Sequence, residues 1–346
     1  MSKTDSRNRE LLTPAQLRTG IKSRAGGYLE WMRKNSSHRI PPDEQILDDK
    51  YDFVFKDRYR YLNFHPDIML PAQDMLGGRV DRYYHDTRSE ITVHDYIGHV
   101  ASSQALCWNM VLAMKKHDNF GPLFEVLSAA LAEEGMASQF DFGIETTTVL
   151  ELNVGQDLGE DGKAATSIDL YLRTPQGKVC AVEFKLTEHD FGRCKLPRST
   201  SGKCDGTYGS RHNAEANDGF LCYLSSRGRR YWQIGGQYNI LDPTRINEPC
   251  PLDRYYQALR NLMVAKKRAQ EATEKEIRGI FVLVADERNE AFWGPKSNYE
   301  GLKQYLAGVR GKVVPDVFRV SPQDILSRFS GSLSEYKEYF QVKYGF

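Results

Sequence analysis

No apolar run in this chain approaches the ~18 residues that a membrane-spanning helix needs, so a membrane span is excluded as its main element. Cysteine is sparse, six in 346 residues, and no two lie in a Cys-x-x-Cys pair, so the closely spaced signatures of zinc fingers and thiol redox motifs are missing. The opening residues Met1-Ser2-Lys3-Thr4-Asp5-Ser6-Arg7-Asn8-Arg9-Glu10 carry no apolar core and do not read as a secretory leader. Cytoplasm is the expected compartment, and disulfides are not expected there. Charge of one sign is lacking too: the net charge is +1, so the whole-molecule field announces no polyanionic ligand. No internal repeat is apparent. What remains is a chain with 40% hydrophobic and 27% charged residues, long enough for a sizeable core in one large domain or two.

Two short segments carry the most information. In Ser167-Ile168-Asp169-Leu170-Tyr171-Leu172 and in Val179-Cys180-Ala181-Val182-Glu183-Phe184-Lys185-Leu186, apolar residues alternate with others at the period of two expected for strands. The spacing predicts one inward apolar face and an opposite face shared by Asp169, Glu183 and Lys185. Between the segments lies Arg173-Thr174-Pro175-Gln176-Gly177-Lys178, whose Pro and Gly suit a hairpin turn, so the strands are expected to pair antiparallel. An acid, then an acid and a lysine, on adjoining strands resembles the arrangement that metal-dependent nucleases use.

Around these strands the expected order is helix, three strands, helix, strand, helix. Ser102-Ser103 caps a helix through Trp108 to about Lys116, and Pro122 opens a second. Residues 140–153 read as one long strand, 252–274 as a helix, and 277–285 as a strand apolar throughout and buried on both faces. Helices are expected near 299–309 and 323–329. Residues 1–98 read as an N-terminal accessory region rich in Tyr, Arg, Asp and His, and 99–346 as the main domain with a loop-rich insertion at 191–250. His85, His94 and His99 with Asp81, Asp86 and Asp95 lack the His spacing of a zinc helix and read as ordinary polar surface. Basic residues gather at Arg193, Lys195, Arg198, Lys203, Arg211, Arg227, Arg229, Arg230 and Lys266-Lys267-Arg268; gathered round one cleft they would neutralise phosphates, and otherwise they form a solvated surface.

The ordered blocks resemble the PD-(D/E)xK nuclease superfamily, the fold of restriction endonucleases, and more closely a poorly characterised restriction-endonuclease-like group. That closer resemblance rests on His99-Val100-Ala101-Ser102-Ser103-Gln104-Ala105-Leu106-Cys107-Trp108-Asn109, on Asp169, on Glu183-Phe184-Lys185-Leu186-Thr187-Glu188 with Phe191-Gly192-Arg193-Cys194, and on Tyr256-Gln257-Ala258-Leu259-Arg260-Asn261. It implies an α/β fold, an α-β-β-β-α-β core with a mixed central sheet flanked by helices. It also implies a Mg²⁺-dependent endonuclease acting on DNA, with Mn²⁺ able to substitute. Asp169, Glu183 and the Phe184 carbonyl would hold the metal, Lys185 would act at the water and phosphate, and Gln257 would face the site from the following helix, where the alternative is a surface glutamine. Glu188 would support the site from behind. The superfamily often adds an acid on the helix before the first strand; Glu125, Glu133 and Glu134 are available, as is Glu145 on the strand, and the sequence does not choose among them. Cutting both strands of a palindrome would call for a homodimer, an expectation by analogy only.

Alternatives stay open at this stage. The acids and Lys185 also suit ion pairs on an open sheet face, and a nucleic-acid- or partner-binding module without catalysis, or an RNA-directed nuclease, would share the fold. Cys107 and Cys180 fall on apolar positions. Cys194, Cys204, Cys222 and Cys250 all lie in or at the edge of the insertion, where four thiolates can hold Zn²⁺ or an iron–sulfur cluster; the alternative is four unlinked thiols.

Overall fold

The computed structural model describes residues 10–37, 40–76, 97–136, 139–160, 167–196, 203–210, 221–272, 278–311 and 315–346. His85, His94, Asp81, Asp86, Asp95, Arg198 and Arg211 lie outside the described residues. Five strands form one sheet in sequential order: β1 (Thr147–Asn153), β2 (Ser167–Arg173), β3 (Val179–Lys185), β4 (Gly279–Ala285) and β5 (Val317–Val320). β1, β2 and β3 run antiparallel as a meander, while β3, β4 and β5 are parallel. The hairpin between β2 and β3 closes where Thr174 N–H donates to Lys178 O at 2.9 Å, with Gly177 at φ +78°, a value that a residue with Cβ adopts at a cost.

Seven helices of nine or more residues stand among the described residues: α1 (Pro14–Lys22), α2 (Ala25–Asn35), α3 (Ser103–Lys116), α4 (Gly121–Glu133), α5 (Tyr256–Ala272), α6 (Asn298–Arg310) and α7 (Tyr336–Tyr344). Local chemistry sets several starts. Thr13 and Gln16 form a capping box ahead of Pro14, and the Ser102 hydroxyl accepts from Ala105 N–H at 3.2 Å, each satisfying a donor that the first helical turn leaves free. α5 joins the antiparallel half of the sheet to the parallel half, the crossover that parallel pairing requires.

Both faces of the sheet are covered. Leu150, Leu170, Leu172, Cys180, Val182, Phe184 and Val284 pack with Trp108 and Leu112 of α3, Leu127 of α4 and Phe340 of α7. Tyr171, Val179, Ala181, Phe281 and Leu283 pack with Leu259 and Met263 of α5 and Leu302 of α6. The alternation therefore does not mark an apolar face against an open polar one. The residues opposite the first core form a second core, because α5 lies on them. Gly279 allows this approach: a Cβ there would come within 2.3 Å of the Ala265 backbone of α5. Leu17, Tyr28, Phe55 and Phe64 of the N-terminal region belong to the first core, where they cover the sheet and its helices.

The expected strand at 140–153 is shorter in the structure. Residues 140–146 are irregular, and Phe142 stacks on Phe124 at 5.5 Å, an aromatic cluster that replaces strand pairing. The Tyr231–Gln237 segment of the insertion is a helix. β5 and α7 were not expected; β5 spans four residues, too few for period-two alternation to register.

Candidate active site

Asp169 and Glu183 face each other at the point where β2 and β3 part. The ladder between these strands ends at Leu170 opposite Val182. Beyond it, the Phe184 N–H donates to Asp169 Oδ2 at 2.8 Å instead of to a β2 carbonyl. The side chain thus holds the strands apart and satisfies a backbone donor that would otherwise be buried unpaired. Lys185, two positions past Glu183 and on the same face, places its Nζ 2.7 Å from Glu183 Oε1 and 2.9 Å from Gln257 Oε1.

Gln257 sits in the first turn of α5, where its own N–H donates to Phe191 O at 2.9 Å. Gly192 presses against its side chain: the glycine has φ +71°, and a Cβ there would stand 3.0 Å from Gln257 Oε1. One helical turn on, Asn261 Nδ2 donates to Glu183 Oε2 at 2.9 Å. The i, i+4 pair on one face of α5 therefore orients both members of the Glu183–Lys185 pair. Asn261 had received no role, although its spacing from Gln257 was visible in the chain.

A third carboxylate belongs to the site. Glu151 of β1 lies between Leu150, paired with Leu170, and Leu152, paired with Ile168, so it stands beside Asp169. Its φ is +52°, a backbone state that costs a residue with Cβ about 1–2 kcal/mol. Its Oε1 accepts from Gln104 Nε2 at 2.8 Å and Trp108 Nε1 at 2.9 Å, both on α3, while Oε2 is buried with no hydrogen-bond partner. The acids expected in this role are elsewhere. Glu125 pairs with Arg328 and Glu134 with Lys303, and Glu133 and Glu145 are exposed.

Glu151, Asp169, Glu183 and Lys185 are 1%, 8%, 3% and 5% exposed, so their charges act on one another through little water. Burial, and then Glu183 and Glu151, hold the Asp169 carboxyl well above its ordinary value. Burial pushes Glu151 up to about 7 against the hydrogen bonds from Trp108 and Gln104. Burial disfavours the Lys185 ammonium, but Glu183, Glu188 and Asp169 outweigh it and raise its pKa. The site is a crowded set of acids with one cation. Glu188 reaches Lys185 only through this field; its Oε2 accepts from Leu186 and Thr187 N–H at 2.7 and 2.9 Å, closing the end of β3.

The donor set suits a hard divalent cation: carboxylate oxygens, one of them without a partner, including those of the Asp169 and Glu151 carboxyls, which burial and then neighbouring acids keep from ionising readily. Among the described residues, no group of three or more His, Cys, Asp or Glu side chains is placed to hold an ion as it stands. Several nearby cations are already engaged. Lys266 is buried on Asp316 at 2.7 Å, Lys267 and Arg268 reach Asp157, and Arg230 donates to the Gln156 and Asp157 carbonyls. This basic run braces the fold and is not a free phosphate-binding face. His99 accepts from Ala101 N–H at 2.9 Å against the Phe53 ring, a structural role in keeping with ordinary polarity.

A mixed sheet flanked by helices, with an acid on its second strand and Glu-x-Lys on its third, defines the restriction-endonuclease-like class. Within it, the family model described as restriction endonuclease associating with ARP matches residues 52–345, and the chain belongs to that family. Neither the curated proteins nor the solved structures contain a match.

Proposed function

We propose that this chain is a Mg²⁺-dependent endonuclease that hydrolyses phosphodiester bonds in DNA, in a restriction or genome-defence role. The observation that carries the reading is the meeting of Asp169, Glu183 and Lys185 with Gln257 and Asn261 in one buried site. Asp169 and Glu183 would hold the ion with the Phe184 carbonyl, and Glu151 adds a third carboxylate. Bound there, the metal would lower the pKa of a water and offset charge that builds on phosphorus. Lys185, fixed by Glu183 and Gln257 and held as an ammonium, orients the water and faces the anionic phosphate oxygens. Asn261 keeps Glu183 turned toward the site. The test is cleavage of duplex DNA, single-stranded DNA and RNA with Mg²⁺, with Mn²⁺ and with chelator, using Asp169→Ala and Lys185→Ala as controls. Metal-dependent cutting of duplex DNA, lost in both variants, is expected; a Lys185→Ala protein as active as the parent sinks the mechanism.

The depth of the site favours one second reading, a nucleic-acid-binding module on the same fold without catalysis. It predicts salt-sensitive binding and no cleavage with any metal.

A further inference from the structure

We infer that Cys194, Cys204, Cys222 and Cys250 form a four-thiolate Zn²⁺ site that staples the 191–250 insertion to the base of α5. The inference stands apart from the carboxylate site and does not rest on the nuclease reading. Backbone hydrogen bonds bring the four segments together from distant parts of the insertion. Cys194 N–H donates to Leu252 O at 3.0 Å, Cys250 N–H to Gly206 O at 2.8 Å, and Gly209 N–H to Leu221 O at 3.0 Å. Thr207 and Pro249 pair as an antiparallel bridge, which sets the Cys204 and Cys250 segments side by side. The sulfurs lie within electrostatic range: Cys194 feels Cys204 and Cys222, and Cys250 feels all three others.

Three of the four sulfurs share a further feature. The backbone N–H two residues on is turned toward the sulfur: Gly206 to Cys204 Sγ at 3.4 Å, Leu196 to Cys194 and Leu252 to Cys250. A thiol is a weak acceptor, whereas such donors stabilise a thiolate, the form that binds metal. No disulfide joins these cysteines. As they stand the sulfurs do not form a closed shell, so their closing round the ion is part of the inference. Four S–H groups lose their protons to solvent as four Zn–S bonds form, leaving a net charge of −2; Lys203, which precedes Cys204, and Arg227 both donate to the hydroxyl of Tyr223, the residue after Cys222.

The staple has a consequence for the neighbouring site. Cys194 is two residues from Gly192, which presses on Gln257, so the ion would fix the loop that holds the start of α5.

The experiment is metal analysis of the purified full-length chain by plasma mass spectrometry, repeated for Cys222→Ser, Cys250→Ser, Cys222→His and Asp169→Ala. About one zinc per chain is expected, retained through dialysis and released by a thiol-reactive mercurial. It should be lost in both serine variants and kept in Cys222→His and Asp169→Ala. The Co²⁺-substituted chain should show the visible bands of a tetrahedral thiolate site, and chelation should lower the thermal midpoint. Three results would overturn the inference: a zinc-free chain whose unfolding ignores chelator, iron with inorganic sulfide in place of zinc, or zinc that survives both serine substitutions.

Discussion

Glu151 concentrates more of the site's physics than any other single residue. It occupies a left-handed backbone conformation, leaves one carboxylate oxygen unpartnered and resists ionisation through burial. The folded chain binds its proton more tightly than the unfolded chain, whose pKa is near 4.5. Stability present below pH 4.5 is therefore lost as pH rises through about 7, by roughly 3 kcal/mol in all. Denaturant unfolding of the metal-free protein should give a lower free energy at pH 8 than at pH 5, and Glu151→Gln should flatten that slope. An identical slope in parent and variant would contradict the assignment. Lys185 gives a second prediction at this scale. Its loss leaves Glu183 buried beside Asp169 without a cation, so Lys185→Met should cost about 3–5 kcal/mol in chelator. A Mg²⁺ ion held by these acids should recover part of that cost. Thermal shifts with and without Mg²⁺ measure both quantities, and equal losses in the two conditions would argue against a metal at these acids.

At the level of elements, α5 determines how the pair on β3 is presented. Gln257 and Asn261 reach Lys185 and Glu183 only because α5 lies close on the sheet, and Gly279 is where β4 gives it room. Gly279→Ala should destabilise the protein by about 3 kcal/mol, since the added methyl meets helix backbone and cannot be accommodated by a rotamer change. Gly192→Ala tests the other end of α5. It forces Cβ against Gln257 and strains a residue at φ +71°, so it should cost about 1–2 kcal/mol and lower kcat more than KM if Gln257 serves the chemistry. Unchanged kinetics in a folded variant would return Gln257 to a structural role. Its helix and i, i+4 spacing were legible in the chain; the side chain it would meet was not, because that depends on the distance between α5 and β3.

Across the whole molecule, the N-terminal residues complete a core that also holds α3, one sheet face and the C-terminal α7. Tyr28 meets Tyr339 of α7 at 5.7 Å and donates to Leu62 O, and the buried Lys343 donates to the Asn63 carbonyl and to the Tyr339 hydroxyl at 2.9 Å. A fragment of residues 99–346 should therefore expose a large apolar surface. It is expected to be aggregated or to unfold without cooperativity, while the full chain melts in one transition in calorimetry. A fragment that melts cooperatively near the parent's temperature would make 1–98 a separable unit.

The sequence by itself determined the meander of three strands, the buried parallel strand, the capped helices and the placement of Asp169, Glu183 and Lys185, because hydrophobic period, turn residues and caps act over a few neighbouring positions. Only the tertiary structure decided that both sheet faces are covered, that Glu151 and not a helix glutamate joins the acids, that Asn261 orients Glu183, and that Lys266, Lys267 and Arg268 are already paired. Each of these depends on which distant segments the packing brings together, and on a backbone conformation at Glu151 that no local propensity favours.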